Sequence, residues 1–95
     1  MMEIQEVLTL RGKQYGNFLR LSQVAQALKQ ILAEAQCTPL DPDLQVSLDM
    51  ICLKLARIAN GDPYYADNWT DIAGYATLVA NRLHQHHVIE GGQTT

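Results

Sequence analysis

Asp67, Asp71 and Tyr75 recur every four residues in the stretch Asp67-Asn68-Trp69-Thr70-Asp71-Ile72-Ala73-Gly74-Tyr75. On a helix that spacing sets two carboxylates and a phenol on one side. Such a stripe can hold a cation, hydrogen-bond a polar ligand or pair with basic side chains. The basic counterpart is Lys54-x-x-Arg57, two cations on one side of the preceding apolar segment. The loop between the segments is short, so antiparallel neighbours would bring the two sets together. Two chemistries follow. In one, Asp67 and Asp71 hold Mg²⁺ while Lys54 and Arg57 meet phosphate oxygens. In the other, the same four side chains form an interhelical ion-pair network that fixes register, and Tyr75 adds a hydrogen bond. Charge spacing alone favours the network, because structural ion pairs also gather charges in clefts.

Other reactive types are less well placed. Lys13-Gln14-Tyr15-Gly16 is a polar bend whose Tyr15 ring could flank a ligand, but it lacks the glycine and Lys-Ser/Thr spacing of a phosphate loop. A helix-breaking turn is its plainer reading. His84 and His87 are spaced to share a helix face, yet no carboxylate or cysteine at ligand spacing completes a metal set. Cations near a helix C-terminus explain them better. Cys37 and Cys52 have neither CxxC spacing nor a histidine partner. Free thiols are expected, Cys52 in the core and Cys37 in a loop. Neither cysteine nor any serine stands near an evident histidine base, so nucleophilic catalysis has little support.

The elements that must position these groups read as helices. Ile4, Val7 and Leu8 share one side of a first helix over 3–13, with the backbone bending between Gly12 and Gly16. Asn17 is a candidate cap for a second helix, about 18–35, where Leu21, Val24, Ala25, Leu28, Ile31 and Leu32 recur at helical spacing. Asp41-Pro42-Asp43 opens a third, with Asp41 as N-cap and Pro42 at the first position, and Asn60-Gly61 stops it. Leu44, Leu48, Ile51, Cys52, Leu55, Ile58 and Ala59 fill one arc of that helix, and Val46, Met50 and Leu53 appear on the other. A helix apolar nearly all round is central, at a subunit interface, or both. Asp49, Lys54 and Arg57 on it are then partly desolvated and need partners. The fourth helix runs from 66–68 to about 84. Gly74 within it suggests close packing or ligand approach, because glycine there costs roughly 1 kcal/mol. Trp69 reads as a core or interface anchor.

Ninety-five residues make one small domain: a helical domain over 1–87 and a frayed tail over 88–95. A filling of Leu, Ala, Ile and Val with one Phe suits an all-α bundle of about four helices that oligomerises through its apolar faces. A net charge of −3 argues against nucleic acid. No signal peptide and no membrane-spanning run are evident, which points to the cytoplasm.

Three motifs carry a family resemblance: Arg11-x-Lys13-x-Tyr15-Gly16, then Leu53-Lys54-x-x-Arg57-Ile58, then Asp67-x-Trp69-x-Asp71-Ile72-Ala73-Gly74-Tyr75-Ala76. Their order resembles a family of small phage- and prophage-encoded helical proteins without an assigned function. That family is in turn distantly similar to MazG-like all-α nucleoside triphosphate pyrophosphohydrolases, which are oligomers of four-helix units that use Mg²⁺. The resemblance implies a bacterial host cell, a nucleotide-type pocket and Mg²⁺. Those enzymes carry two acidic pairs. Asp71 falls where the final aspartate would stand, Asp67 is one residue out of step, and Lys54-x-x-Arg57 occupies the region of the first pair. Too few carboxylates are left to assume metal-assisted hydrolysis.

The expectation is therefore an accessory protein with a phosphate-binding pocket: Lys54 and Arg57 on phosphate, Tyr15 and Tyr75 flanking, Asp67 and Asp71 on Mg²⁺. The alternative is a non-catalytic helical oligomerisation protein in which the same cluster is a salt-bridge network. If it is an enzyme at all, it is a Mg²⁺-dependent pyrophosphohydrolase.

Overall fold

The computed structural model describes residues 3–91, leaving aside the side chains of residues 13–15 and 86–91. Among these residues the chain is helical and has no strand: α1 (Ile4–Tyr15), α2 (Phe18–Ala35), α3 (Pro42–Asn60) and α4 (Ala66–Gly91). The all-α reading with four helices holds. No described helix is long and apolar enough to cross a membrane.

Boundaries differ where one residue has a better partner than its cap. α1 continues through Gly12 and stops at Gly16, whose φ of 82° leaves the helical region. The Gly16 N–H donates to the Gly12 carbonyl at 2.9 Å. Asn17 caps α2 as expected, its side-chain oxygen accepting from the Arg20 N–H at 3.0 Å. Asn60, at the end of α3, donates its side-chain N–H to the Asn17 carbonyl at 2.9 Å, which pins α3 to the α1–α2 corner.

Asp41 holds the N-cap position of α3 but makes no side-chain cap bond. Its carboxylate accepts instead from Arg82 of α4 at 2.7 Å, while Arg82 grips both oxygens of Asp43 at 2.7 and 2.6 Å. A charge-assisted fork outcompetes a single neutral N–H. α4 extends to Gly91, past the expected end near His84. The last four residues of the expected tail lie outside the described ones.

The Arg82 hydrogen bond holds the Asp43 carboxyl below its ordinary range, although Asp43 is exposed. A depressed folded value means the contribution is complete above the unfolded pKa, near 3.8, and is lost as pH falls through the depressed one. Arg82→Gln should therefore lower Tm at neutral pH. Its gap from the wild type should close as the pH drops below the carboxylate range, and a gap unchanged in acid would disprove the link.

α3 sits in the middle. α2 and α4 each pack against it, α1 lies on α2 and α3, and α2 and α4 make no contact with each other among the described residues. Leu21, Ala25 and Ala56 form the buried cluster, with Val24 and Leu53 against it. Cys52 is also buried, and burial, then the Asp49 carboxylate, pushes its thiol pKa up. Cys37 is exposed, and both thiols are free. Gly74 departs from expectation: a Cβ there would meet nothing within 4 Å, because it points away from α3. The molecule is elongated, 53 × 32 × 22 Å with a radius of gyration of 16.7 Å, against roughly 12 Å for a compact chain of this length.

Candidate ligand-binding site

Helical spacing decides which side chains of α3 meet α4. Ser47 and Lys54, two turns apart, face it and are buried. Lys54 is 8% exposed, and its Nζ lies 2.9 Å from Oδ2 of Asp71, whose side chain is 46% exposed. The pair therefore has a dry end and a wet end. Asn68, 1% exposed, lies in α4 on the arc that also carries Tyr75, and its side-chain N–H₂ has no hydrogen-bond partner. Sequence reasoning passed over Asn68. Its spacing from Ile72, Tyr75 and Val79 was the available signal, masked by the neighbouring Asp67 and Trp69.

The loop before α4 is tied to itself. Asp62 accepts from the Tyr64 N–H at 2.9 Å, and the Trp69 indole N–H donates to the Pro63 carbonyl at 2.9 Å. Trp69 is 54% exposed, so it anchors the loop without entering the core. The Tyr65 hydroxyl donates to Oδ2 of Asp67 at 2.9 Å.

On the far side of α3, where α1 and α2 converge, lies a cavity of about 690 Å³. That volume is within the usual range for small-molecule sites, roughly 300–1,000 Å³. Leu21, Ala25, Met50 and Leu53 supply apolar lining, and Phe18 adds a ring. Arg11, Lys29 and Arg57 also line it, one cation from each of three helices, with Asp49 as the one acid among the described lining residues. Gln45 donates to Asp49 at 2.9 Å, which engages part of that charge. Three of the chain's seven Lys and Arg residues thus gather in one cavity of a protein whose net charge is −3.

The six residues singled out above separate. Lys54 and Asp71 come together as a direct pair. Arg57 lies on the cavity side with Arg11 and Lys29. Asp67 is engaged by Tyr65 at the start of α4. Tyr75 lines a different groove, with Pro42, Asp43, Val46 and Leu78. The Tyr15 side chain lies outside the described residues, as do His86 and His87. Among the described residues no three His, Cys, Asp or Glu side chains are grouped as a metal set. Lys29 and Phe18 carry no site signal in the sequence, since a cavity shared by three helices leaves no local pattern.

Residues 1–83 match the family model described as "Domain of unknown function (DUF6378)". The chain belongs to the DUF6378 family. The DUF6378 match spans all of α1, α2 and α3 and most of α4, including the three motifs at Arg11–Gly16, Leu53–Ile58 and Asp67–Ala76. No curated protein and no solved structure matches the chain.

Proposed function

We propose that this DUF6378 protein binds a small phosphate-bearing ligand of nucleotide type in the cavity between α1, α2 and α3. The observation that carries this reading is the gathering of Arg11, Lys29 and Arg57 around an apolar floor in an otherwise acidic protein. Guanidinium groups match phosphate oxygens in geometry and charge, and the apolar lining with Phe18 suits a ring. Arg57 keeps the phosphate role given to it from sequence. Lys54, held by Asp71, acts one step removed, by fixing α3 against α4. Asp67 and Asp71, given to Mg²⁺ from sequence, lie on α4, are engaged by Tyr65 and Lys54 and do not line this cavity, so they do not fit a metal on its ligand and no step is routed through one. An accessory role in phage or prophage nucleotide metabolism, with a MazG-like fold, is part of the same proposal and is supported by the motif resemblance.

The test is a thermal-shift series with nucleoside mono-, di- and triphosphates, each with and without Mg²⁺. A true ligand at a hundred times its Kd adds about 2.7 kcal/mol of stability. Arg57→Gln should lose most of that shift while its circular dichroism stays helical, and Asp67→Asn, away from the cavity, should leave the shift unchanged with or without Mg²⁺. A flat response to every nucleotide would sink the reading. The second reading, a purely structural network in a helical interaction protein, is favoured by the direct Lys54–Asp71 pair.

A further inference from the structure

We infer that the corner between Tyr64 and Trp69, where the loop enters α4, docks an exposed arginine side chain of a partner protein. The corner shares no lining residue with the cavity of α1, α2 and α3, so it stands whether or not a nucleotide binds there. It is an open depression lined by Pro63, Tyr64, Ala66, Trp69 and Thr70. Tyr64 is 90% exposed, more than any other large apolar or aromatic side chain among the described residues, and over half of Trp69 is in water. The backbone beneath both rings is tied. The Pro63 carbonyl accepts from the indole N–H, and Asp62 accepts from the Tyr64 N–H, each at 2.9 Å. A loop already fixed loses little freedom when a partner arrives. Tyrosine and tryptophan are also the types that dominate binding energy at protein interfaces.

Charge around the rings selects the partner. From Ile58 to Asn81 there is no Lys, Arg or His, and the acids are Asp62, Asp67 and Asp71. The ten acids of the chain less these three match its seven Lys and Arg, so this one stretch carries the whole net charge of −3. Lys54 answers Asp71 directly. Asp62 and Asp67 are left beside the rings, both exposed. Each is engaged through one oxygen, Asp62 by the Tyr64 N–H and Asp67 by the Tyr65 hydroxyl. The positive end of α4 works against a cation here, and Asp67 in its first turn offsets it.

Arginine meets both features at once. The flat face of a guanidinium stacks on an aromatic ring, and its edge forks to a carboxylate. A phosphate or an acidic peptide would face two like charges. A proline-rich segment needs donors for its carbonyls, and the indole N–H, the one donor of that ring, is already spent on Pro63.

Trp69 is the single tryptophan of the chain, so its fluorescence reports on this corner. The full chain is titrated with a blocked glycine pentapeptide carrying a central arginine, with the same peptide carrying citrulline, and with a proline pentapeptide. The arginine peptide should change the emission saturably and bind about fivefold more tightly than the uncharged citrulline peptide, a gap that high salt should narrow. Tyr64→Ala and Asp67→Asn should each weaken arginine binding about threefold or more while circular dichroism stays helical. Both side chains are exposed, so neither change asks the core to adjust. Glu34→Gln removes the same charge from the last turns of α2 and should leave the affinity as it is. An emission that never saturates with arginine overturns the inference, as does equal binding of citrulline or an unaltered affinity in Tyr64→Ala. Equal weakening by Glu34→Gln and Asp67→Asn overturns it in favour of diffuse charge attraction. Tighter binding of the proline peptide overturns it in favour of a proline-rich partner.

Discussion

Gly16→Ala is expected to lower the free energy of unfolding by about 3 kcal/mol or more. Two causes combine. Gly16 has φ 82° and ψ −162°, a region that only glycine occupies without strain, with a cost of roughly 1–3 kcal/mol for other residues. A Cβ there would also overlap the carbonyl and side-chain amide of Asn60. That second contact cannot yield cheaply, because Asn60 is itself bound to the Asn17 carbonyl. The end of α3 would have to move off the corner, and the cavity lined by Gly16 and Arg57 would move with it. Gly12→Ala is the matched control. It lies inside α1 with nothing within 4 Å of the added carbon, and there alanine should stabilise by up to about 1 kcal/mol. Urea unfolding of the two variants should shift the midpoint in opposite directions. Small shifts of the same sign would show that the corner is not held as described.

The second large effect is an asymmetry across one ion pair. Asp71→Asn should cost about 2–3 kcal/mol, whereas Lys54→Met should change stability by no more than about 1 kcal/mol. Removing the aspartate strands an ammonium that is 8% exposed, and a buried charge without its counterion is expensive. Removing the lysine leaves a carboxylate that is 46% exposed and can turn to water. The methionine then fills the space between α3 and α4. The cost of Asp71→Asn is set below that of a fully buried pair because half of Asp71 is already hydrated. Denaturant melts of both variants read the difference directly. If Lys54→Met proved the costlier change, the dry end of the pair would have been assigned to the wrong residue.

The helices were legible because their signals are local. Asn17, Pro42, Asp43 and the three- and four-residue apolar steps each act within a turn or two, and the helices form where they predict, although Ile4, Leu8 and Ile31 on those steps stay exposed. The central place of α3 was legible too, from apolar residues on both sides of one helix. The Lys54–Asp71 contact could be anticipated because a short loop forces α3 and α4 to lie side by side. Contacts between residues far apart in sequence left no local trace. Arg82 reaching back to Asp41 and Asp43 crosses about forty positions of sequence, and no periodicity announces it. The cavity is the same case: Arg57 stands out in sequence only as the neighbour of Lys54, Arg11 and Lys29 are unremarkable on their own helices, and the three become a cluster only when α1 settles across α2 and α3. Gly74 was misread for a related reason, since a small residue on the outward side of a helix looks in sequence like one on the inward side.

That α2 and α4 meet only through α3 has a mechanical consequence. Among the described residues the two outer helices share one wall and make no contact with each other. A ligand that stiffens the α1–α2 side can reach α4 only by displacing α3 itself, along the line of its Lys54 ammonium. Any strain passed between the two halves therefore has to run through α3, the one helix that both α2 and α4 touch among the described residues.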